Sequence, residues 1–178
     1  MKKPFVVSII VIGFALASGF FLSSNKSSAE STSNSALTWN TFDQGVALAK
    51  EQHKKVLVDV YTDWCGWCKK MDSDVYTDSK VIKTLTAKFV LVKLNAESNS
   101  KHVAYQGKQF TEAEFAQAVG VSGYPSTLFF DSAGKPITLL PGFVPAEKFV
   151  PILTYIGDDH YLKVSFEQYL SKSSPPTQ

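Results

Sequence analysis

The chain has 178 residues, 44% hydrophobic and 19% charged, with a formal net charge of +2. That supplies enough apolar material for one globular domain with an adequate core. The basic residues gather on no obvious face, so nucleic acid and other polyanions are excluded as expected partners.

Lys2 and Lys3 precede an uncharged run over residues 5–22, which reads as an export signal. Ser27, Ser28 and Ala29 offer small side chains for cleavage after Ala29, making 1–29 a signal peptide; retention as a signal anchor is the alternative. Either outcome places the domain in the periplasm or an equivalent extracytoplasmic space, soluble after cleavage or tethered to the membrane by residues 5–22. No cysteine follows the run, which excludes a lipoprotein anchor. The Ser/Asn/Thr-rich stretch over 23–35 has the composition of a tether, with 30–36 as the flexible linker to a domain over 37–157.

Thr41 caps an expected helix over 42–52 with Phe42, Val46 and Ala49 on one face. The β-branched run at 56–61 reads as a buried strand. A turn at Thr62 and Asp63 leads into a helix from 65 to about 73. Asp78 or Ser79 caps a helix through Lys88 with Val81, Ile82 and Leu85 as its stripe, and residues 89–94 form a second buried strand. Strands separated by a helix imply a right-handed crossover and parallel pairing. Residues 98–120 make a long connection in which Thr111-Glu112-Ala113-Glu114 is a capping box for a helix over 112–119. Residues 126–130 are a third strand, 131–134 a turn, and 137–140 its hairpin partner. Pro145 starts a last core helix that runs to about Ile156 and ends at Gly157. Residues 158–178 are a helical extension and tail, with Phe166, Tyr169 and Leu170 sharing a face after Ser165. The expected class is α/β, a mixed sheet with helices on both faces.

The chemistry centres on Cys65 and Cys68, the only cysteines, spaced Cys-Gly-Trp-Cys where a strand turns into a helix. Free N–H groups and the dipole at a helix start stabilise anions, and the thiolate is the form that attacks disulfides. Cys65 therefore reads as the nucleophile and Cys68 as the resolving thiol of a redox disulfide. A zinc half-site and a purely structural bond are the alternatives. There is no second cysteine pair, and His53, His102 and His160 are scattered singly. So small a loop constrains the unfolded chain very little, which makes a structural bond inefficient.

Val58-Asp59 followed by Asp63-Trp64-Cys65-Gly66-Trp67-Cys68-Lys69 resembles the active-site segment of the thioredoxin family, with Trp67 in place of the proline common there. From Val56 to Phe143 the chain is similar to the C-terminal periplasmic domain of the electron carrier DsbD, and it also resembles SoxW-type exported thioredoxins. The resemblance covers about two thirds of the chain, from residue 42 to about 155, and implies a thioredoxin fold.

Asp59 and Lys93 are single charges in two otherwise apolar strands, and a buried charge is costly unless paired. The simplest account is that they meet, either as a structural ion pair or with Asp59 accepting the proton of Cys68. The resemblance supports the pairing, since they stand at thioredoxin's buried aspartate and strand-lysine positions. Asp72 lies four residues after Cys68, on the same helical face. The resemblance to DsbD's domain, which carries an acidic residue at the matching place, implies a second modulator of thiol acidity; an ordinary surface aspartate is the alternative. The resemblance implies a cis bond at Tyr124-Pro125 against the cysteines, leaving the Tyr124 backbone free for an extended substrate; a trans turn proline is the alternative. Trp64, Gly66 and Trp67, with Gly142-Phe143 on another loop, read as an exposed contact surface. Trp67 brings no cation to stabilise the thiolate, which points to a reductant rather than an oxidase or isomerase. The expected activity is reduction of disulfide-containing protein substrates, without cofactor or metal, by a thiol recharged from a DsbD- or CcdA-like membrane donor.

Overall fold

At the centre of the sheet, β2 (Lys55–Tyr61) and β3 (Phe89–Asn95) lie parallel, with Asp59 directly opposite Lys93. The computed structural model describes residues 37–173. The expected signal segment, the linker over 30–36 and the end of the tail lie outside those residues. Among the described residues no helix is long and apolar enough to cross a membrane.

Both strands are apolar on both faces, because helices cover both. Along β2 the side chains alternate between two cores. Val56, Val58 and Val60 join Phe42, Phe115 and Phe130 in one. Leu57 joins Met71, Leu85, Phe129 and Phe149 in the other. A fully buried phenylalanine such as Phe149 contributes about 1.5–3 kcal/mol relative to an exposed one. Asp59 falls in step with Leu57, so the alternation alone directs its carboxylate into the second layer.

The five-stranded sheet is completed by β1 (Trp39–Asn40), parallel to β3, and by β6 (Ser126–Phe130) and β7 (Pro136–Pro141), which run antiparallel beyond β2. Its order is β1-β3-β2-β6-β7. The helices are α1 (Phe42–Gln52), α2 (Gly66–Lys70), α3 (Ser79–Lys88), α4 (Glu112–Ala118), α5 (Ala146–Gly157) and α6 (Phe166–Ser173). Helices on both faces of this mixed sheet make the α/β thioredoxin fold expected from the sequence.

Caps explain several boundaries. Thr41 and Thr111 close capping boxes with Gln44 and Glu114, and Asp78 Oδ1 accepts from the N–H groups of Lys80 and Val81 at 2.9 and 3.0 Å. Pro145 stands at the N-cap of α5, one position before the helix proper.

Three features depart from the sequence expectation. The redox helix does not run smoothly to residue 73: after Lys70 it widens into a π turn, Met71–Val75, closed by Tyr76 N–H donating to Met71 O at 3.0 Å. The long connection holds a separate hairpin of β4 (His102–Tyr105) and β5 (Lys108–Thr111). Its two turn residues, Gln106 and Gly107, have φ of 50° and 75°, the backbone of a tight hairpin turn. A short 3₁₀ turn, His160–Leu162, precedes α6, whose Phe166 and Tyr169 rings pack on Tyr155 at 5.1 and 5.4 Å.

Candidate active site

The turn after β2 brings Cys65 to the N-cap of α2, where it is bonded to Cys68 as a disulfide. Cys65 Sγ accepts the N–H of Cys68 at 3.0 Å, so one sulfur occupies the place a capping oxygen takes at an ordinary helix start. Exposure does not separate the thiols: each residue is 4% exposed in the disulfide form. What separates them is position, Cys65 at the cap and Cys68 inside the helix.

Around this buried bond the surface is aromatic. Trp64 is 67% exposed and Trp67 58%. The Trp64 ring meets Tyr124 edge-on at 6.0 Å, and Trp67 tilts against Phe143 at 5.3 Å. Gly66 is exposed between the cysteines. Trp64 is further held by its indole N–H, which donates to Glu97 at 2.8 Å. Glu97 sits in the loop leading from β3 to the extra hairpin, and sequence reasoning missed it. The Tyr124–Pro125 bond is cis. Pro125 O accepts from Gly142 N–H at 2.8 Å, with Gly142 at φ +83°, and this ties the loop carrying Phe143 to the proline.

A polar cluster is set into the apolar layer that holds Leu57, Met71 and Phe149. Lys93 Nζ reaches Asp59 Oδ2 at 2.9 Å and Asp72 Oδ1 at 2.5 Å. The same ammonium stands 5.0, 5.2 and 5.9 Å from the ring centroids of Tyr61, Trp39 and Tyr76. Asp72, in the π turn, thus meets Lys93, and its charge also pushes the Asp59 carboxyl up directly, a contact its helical spacing from Cys68 does not reveal. Asp59 is 1% exposed. Burial raises its carboxyl above the usual range, and Lys93 only partly offsets that. Burial pulls Lys93 down, yet the two carboxylates hold it above an ordinary lysine. A cavity of about 470 Å³ opens beside the cluster, walled by Trp39, Asp72, Tyr76, Ile82 and Lys93. Trp39, Tyr61 and Tyr76 were not singled out from the sequence. Their aromatic character was visible, but not that three distant rings converge on one lysine. Among the described residues no group of three His, Cys, Asp or Glu side chains is placed to hold a metal.

A sheet of this topology with a Cys-x-x-Cys disulfide capping a helix defines a thioredoxin-fold thiol-disulfide oxidoreductase. The family model described as a thioredoxin-like domain matches residues 42–157. The chain belongs to that family. It is 33% identical over 105 residues to the thiol:disulfide interchange protein DsbD of Actinobacillus pleuropneumoniae, covering 58% of this chain and 16% of that protein. Against DsbD of Photorhabdus laumondii it is 34% identical over 113 residues, covering 62% of this chain and 18% of the relative. The chain therefore spans less than a fifth of the length of these curated relatives. Among solved structures, a Thermus thermophilus thioredoxin superposes with TM-score 0.56 at 24% identity, covering 68% of this chain and 88% of that one. A thioredoxin-fold protein from Helicobacter pylori gives 0.55 at 22% identity, with coverage of 68% and 80%. These two likenesses show the fold.

Proposed function

We propose that the chain is an extracytoplasmic protein-disulfide reductase, exported by residues 1–29 or anchored through residues 5–22. The reading is carried by the Cys65–Cys68 disulfide at the start of α2, ringed by exposed aromatic rings. Reduced Cys65, favoured as thiolate by the helix start, attacks one sulfur of a substrate disulfide. The substrate S–S bond breaks, its other sulfur leaves as a thiolate that takes up a proton, and a Cys65–substrate mixed disulfide forms. Cys68 gives its proton to Asp59 and attacks Cys65 Sγ; the Cys65–Cys68 bond forms and the substrate sulfur leaves as a thiolate that takes up a proton. Lys93 and Asp72 set the charge that Asp59 carries. The Tyr124 backbone beside Pro125 pairs with an extended substrate segment, and Trp64, Gly66, Trp67, Gly142 and Phe143 receive its flanks. No cofactor takes part, but electrons must be resupplied outside the cytoplasm, and a membrane donor of DsbD or CcdA type would do so. The likeness to DsbD supports that partnership. In this reading residues 37–157 are the working domain, and 158–178 a C-terminal helical extension and tail.

The roles are tested by alkylation and turnover. Cys65 in the Cys68→Ser variant should alkylate at least about tenfold faster near neutral pH than Cys68 in the Cys65→Ser variant. The unsubstituted protein should speed reduction of insulin disulfides by a small dithiol. Equal alkylation rates would reverse or abolish the assignment. Intact, titratable thiols that leave insulin untouched would argue for one dedicated partner in place of general reduction.

A further inference from the structure

One buried titratable group in this cluster has no task in the exchange steps above, the hydroxyl of Tyr76. The π turn delivers Tyr76 inward, where its ring meets Trp39 at 5.0 Å and Phe149 at 6.3 Å. Its ring lies 5.9 Å from the same Lys93 ammonium that pairs with Asp59, which brings the hydroxyl into the electrostatic reach of that carboxylate. In the disulfide form neither Tyr76 Oη nor Asp59 Oδ1 makes a hydrogen bond of normal geometry, although both atoms are shut off from solvent. A buried donor and a buried acceptor left apart are each costly. Packing alone does not account for the hydroxyl, since phenylalanine would fill the same space.

We propose that Tyr76 is a positioning residue for thiol exchange: its hydroxyl donates to Asp59 Oδ1 when that carboxylate is ionised, and so sets how tightly Asp59 holds a proton. The proposal rests on the reading of Asp59 as acceptor of the Cys68 proton. Lys93 occupies Oδ2, which leaves Oδ1 for the hydroxyl. The groups facing Asp59 are Lys93 from β3, Asp72 and Tyr76 from the π turn and its end, and Thr127 from β6. Burial, with Asp59 beside it, holds ionisation of Tyr76 well above that of an ordinary tyrosine, so the hydroxyl remains a donor throughout the working range. A donor to the carboxylate favours the ionised over the protonated form. Tyr76 therefore opposes the upward pull of burial on Asp59, and keeps the acceptor empty when Cys68 must release its proton.

The test follows resolution of a Cys65 mixed disulfide by stopped flow against pH in four proteins: unsubstituted, Tyr76→Phe, Asp59→Asn and the double variant. Phenylalanine keeps the ring contacts and removes only the hydroxyl. In Tyr76→Phe the midpoint of the rate profile should rise by about one pH unit, with resolution about tenfold slower below it and little changed above. In Asp59→Asn that limb should vanish, and adding Tyr76→Phe should change nothing further. A midpoint unmoved or lowered by Tyr76→Phe, or an equal slowing in the Asp59→Asn background, would overturn the role of Tyr76 and leave Asp59 standing. A limb that persists in Asp59→Asn would instead remove the Asp59 reading, and the Tyr76 role with it. Should Tyr76→Phe fail to fold, infrared titration decides. A tyrosine ring mode should change together with the Asp59 carboxyl band and disappear from the titration in Asp59→Asn; a carboxyl band titrating with no tyrosine change overturns the proposal.

Discussion

Lys93 joins two carboxylates and three aromatic rings, and this makes Asp59 tolerable in an otherwise apolar layer. Tolerable is not neutral. Because Asp59 has its pKa raised in the fold above the reference value of 3.8, the unfolded chain gives up that proton at lower pH than the folded one. The contribution of Asp59 to stability is therefore complete below the unfolded value and is lost as pH rises through the folded one. Asp59→Asn, which mimics the protonated acid, should be more stable than the parent at pH 7, with the gap narrowing toward low pH. Denaturant titrations across that range would check this, and a gap independent of pH would mean that Asp59 ionisation is not its source. Lys93 retains Asp72 in the variant, so it is not stranded.

Among the elements, those with self-contained signals are also those whose loss can be costed. The start of α3 depends on one side chain, with Asp78 accepting two backbone N–H groups. Asp78→Ala should cost about 1 kcal/mol in denaturant unfolding, and Asp78→Asn only a fraction of that. Equal losses in both would place the effect in charge rather than capping. The π turn has no such local signature. Met71, Val75 and Tyr76 are all buried, and five-residue spacing lets the first and last face the core together while Asp72 reaches Lys93, 21 residues away. The β4–β5 hairpin escaped notice because its strands have four residues each and its turn is Gln-Gly, a weaker signal than Asn-Gly. Gly107 between Val103 and Phe110 was the clue available.

For the whole molecule the open quantity is the direction of electron flow, which depends on the sum of fields at one sulfur. The helix start favours the Cys65 thiolate, and in the proposed mechanism the two carboxylates of Asp59 and Asp72 oppose it while Lys93 compensates. No cation stands between the cysteines, where Trp67 occupies the surface. The potential should therefore lie closer to that of thioredoxin, about −270 mV, than to that of DsbA, about −120 mV. Equilibration with glutathione would measure it. A value more oxidising than about −180 mV would make oxidation or isomerisation of substrates the better account.

From the sequence alone came the features that depend on residues near one another in the chain and carry a strong local signal. The Cys-Gly-Trp-Cys turn, the two central strands, the capping boxes at Thr41 and Thr111 and the hairpin of β6 and β7 are of this kind, since spacing and side-chain type set local backbone preference directly. The meeting of Asp59 with Lys93 was also legible, because a lone charge in each of two apolar strands leaves few partners. Tertiary structure alone decided that Asp72 turns to Lys93, that Glu97 holds Trp64, that Trp39, Tyr61 and Tyr76 surround one ammonium, and that the Tyr76 hydroxyl and Asp59 Oδ1 are both buried around that lysine. Those pairs join separate elements, and their geometry depends on how strands and helices pack, which no local pattern along the chain encodes.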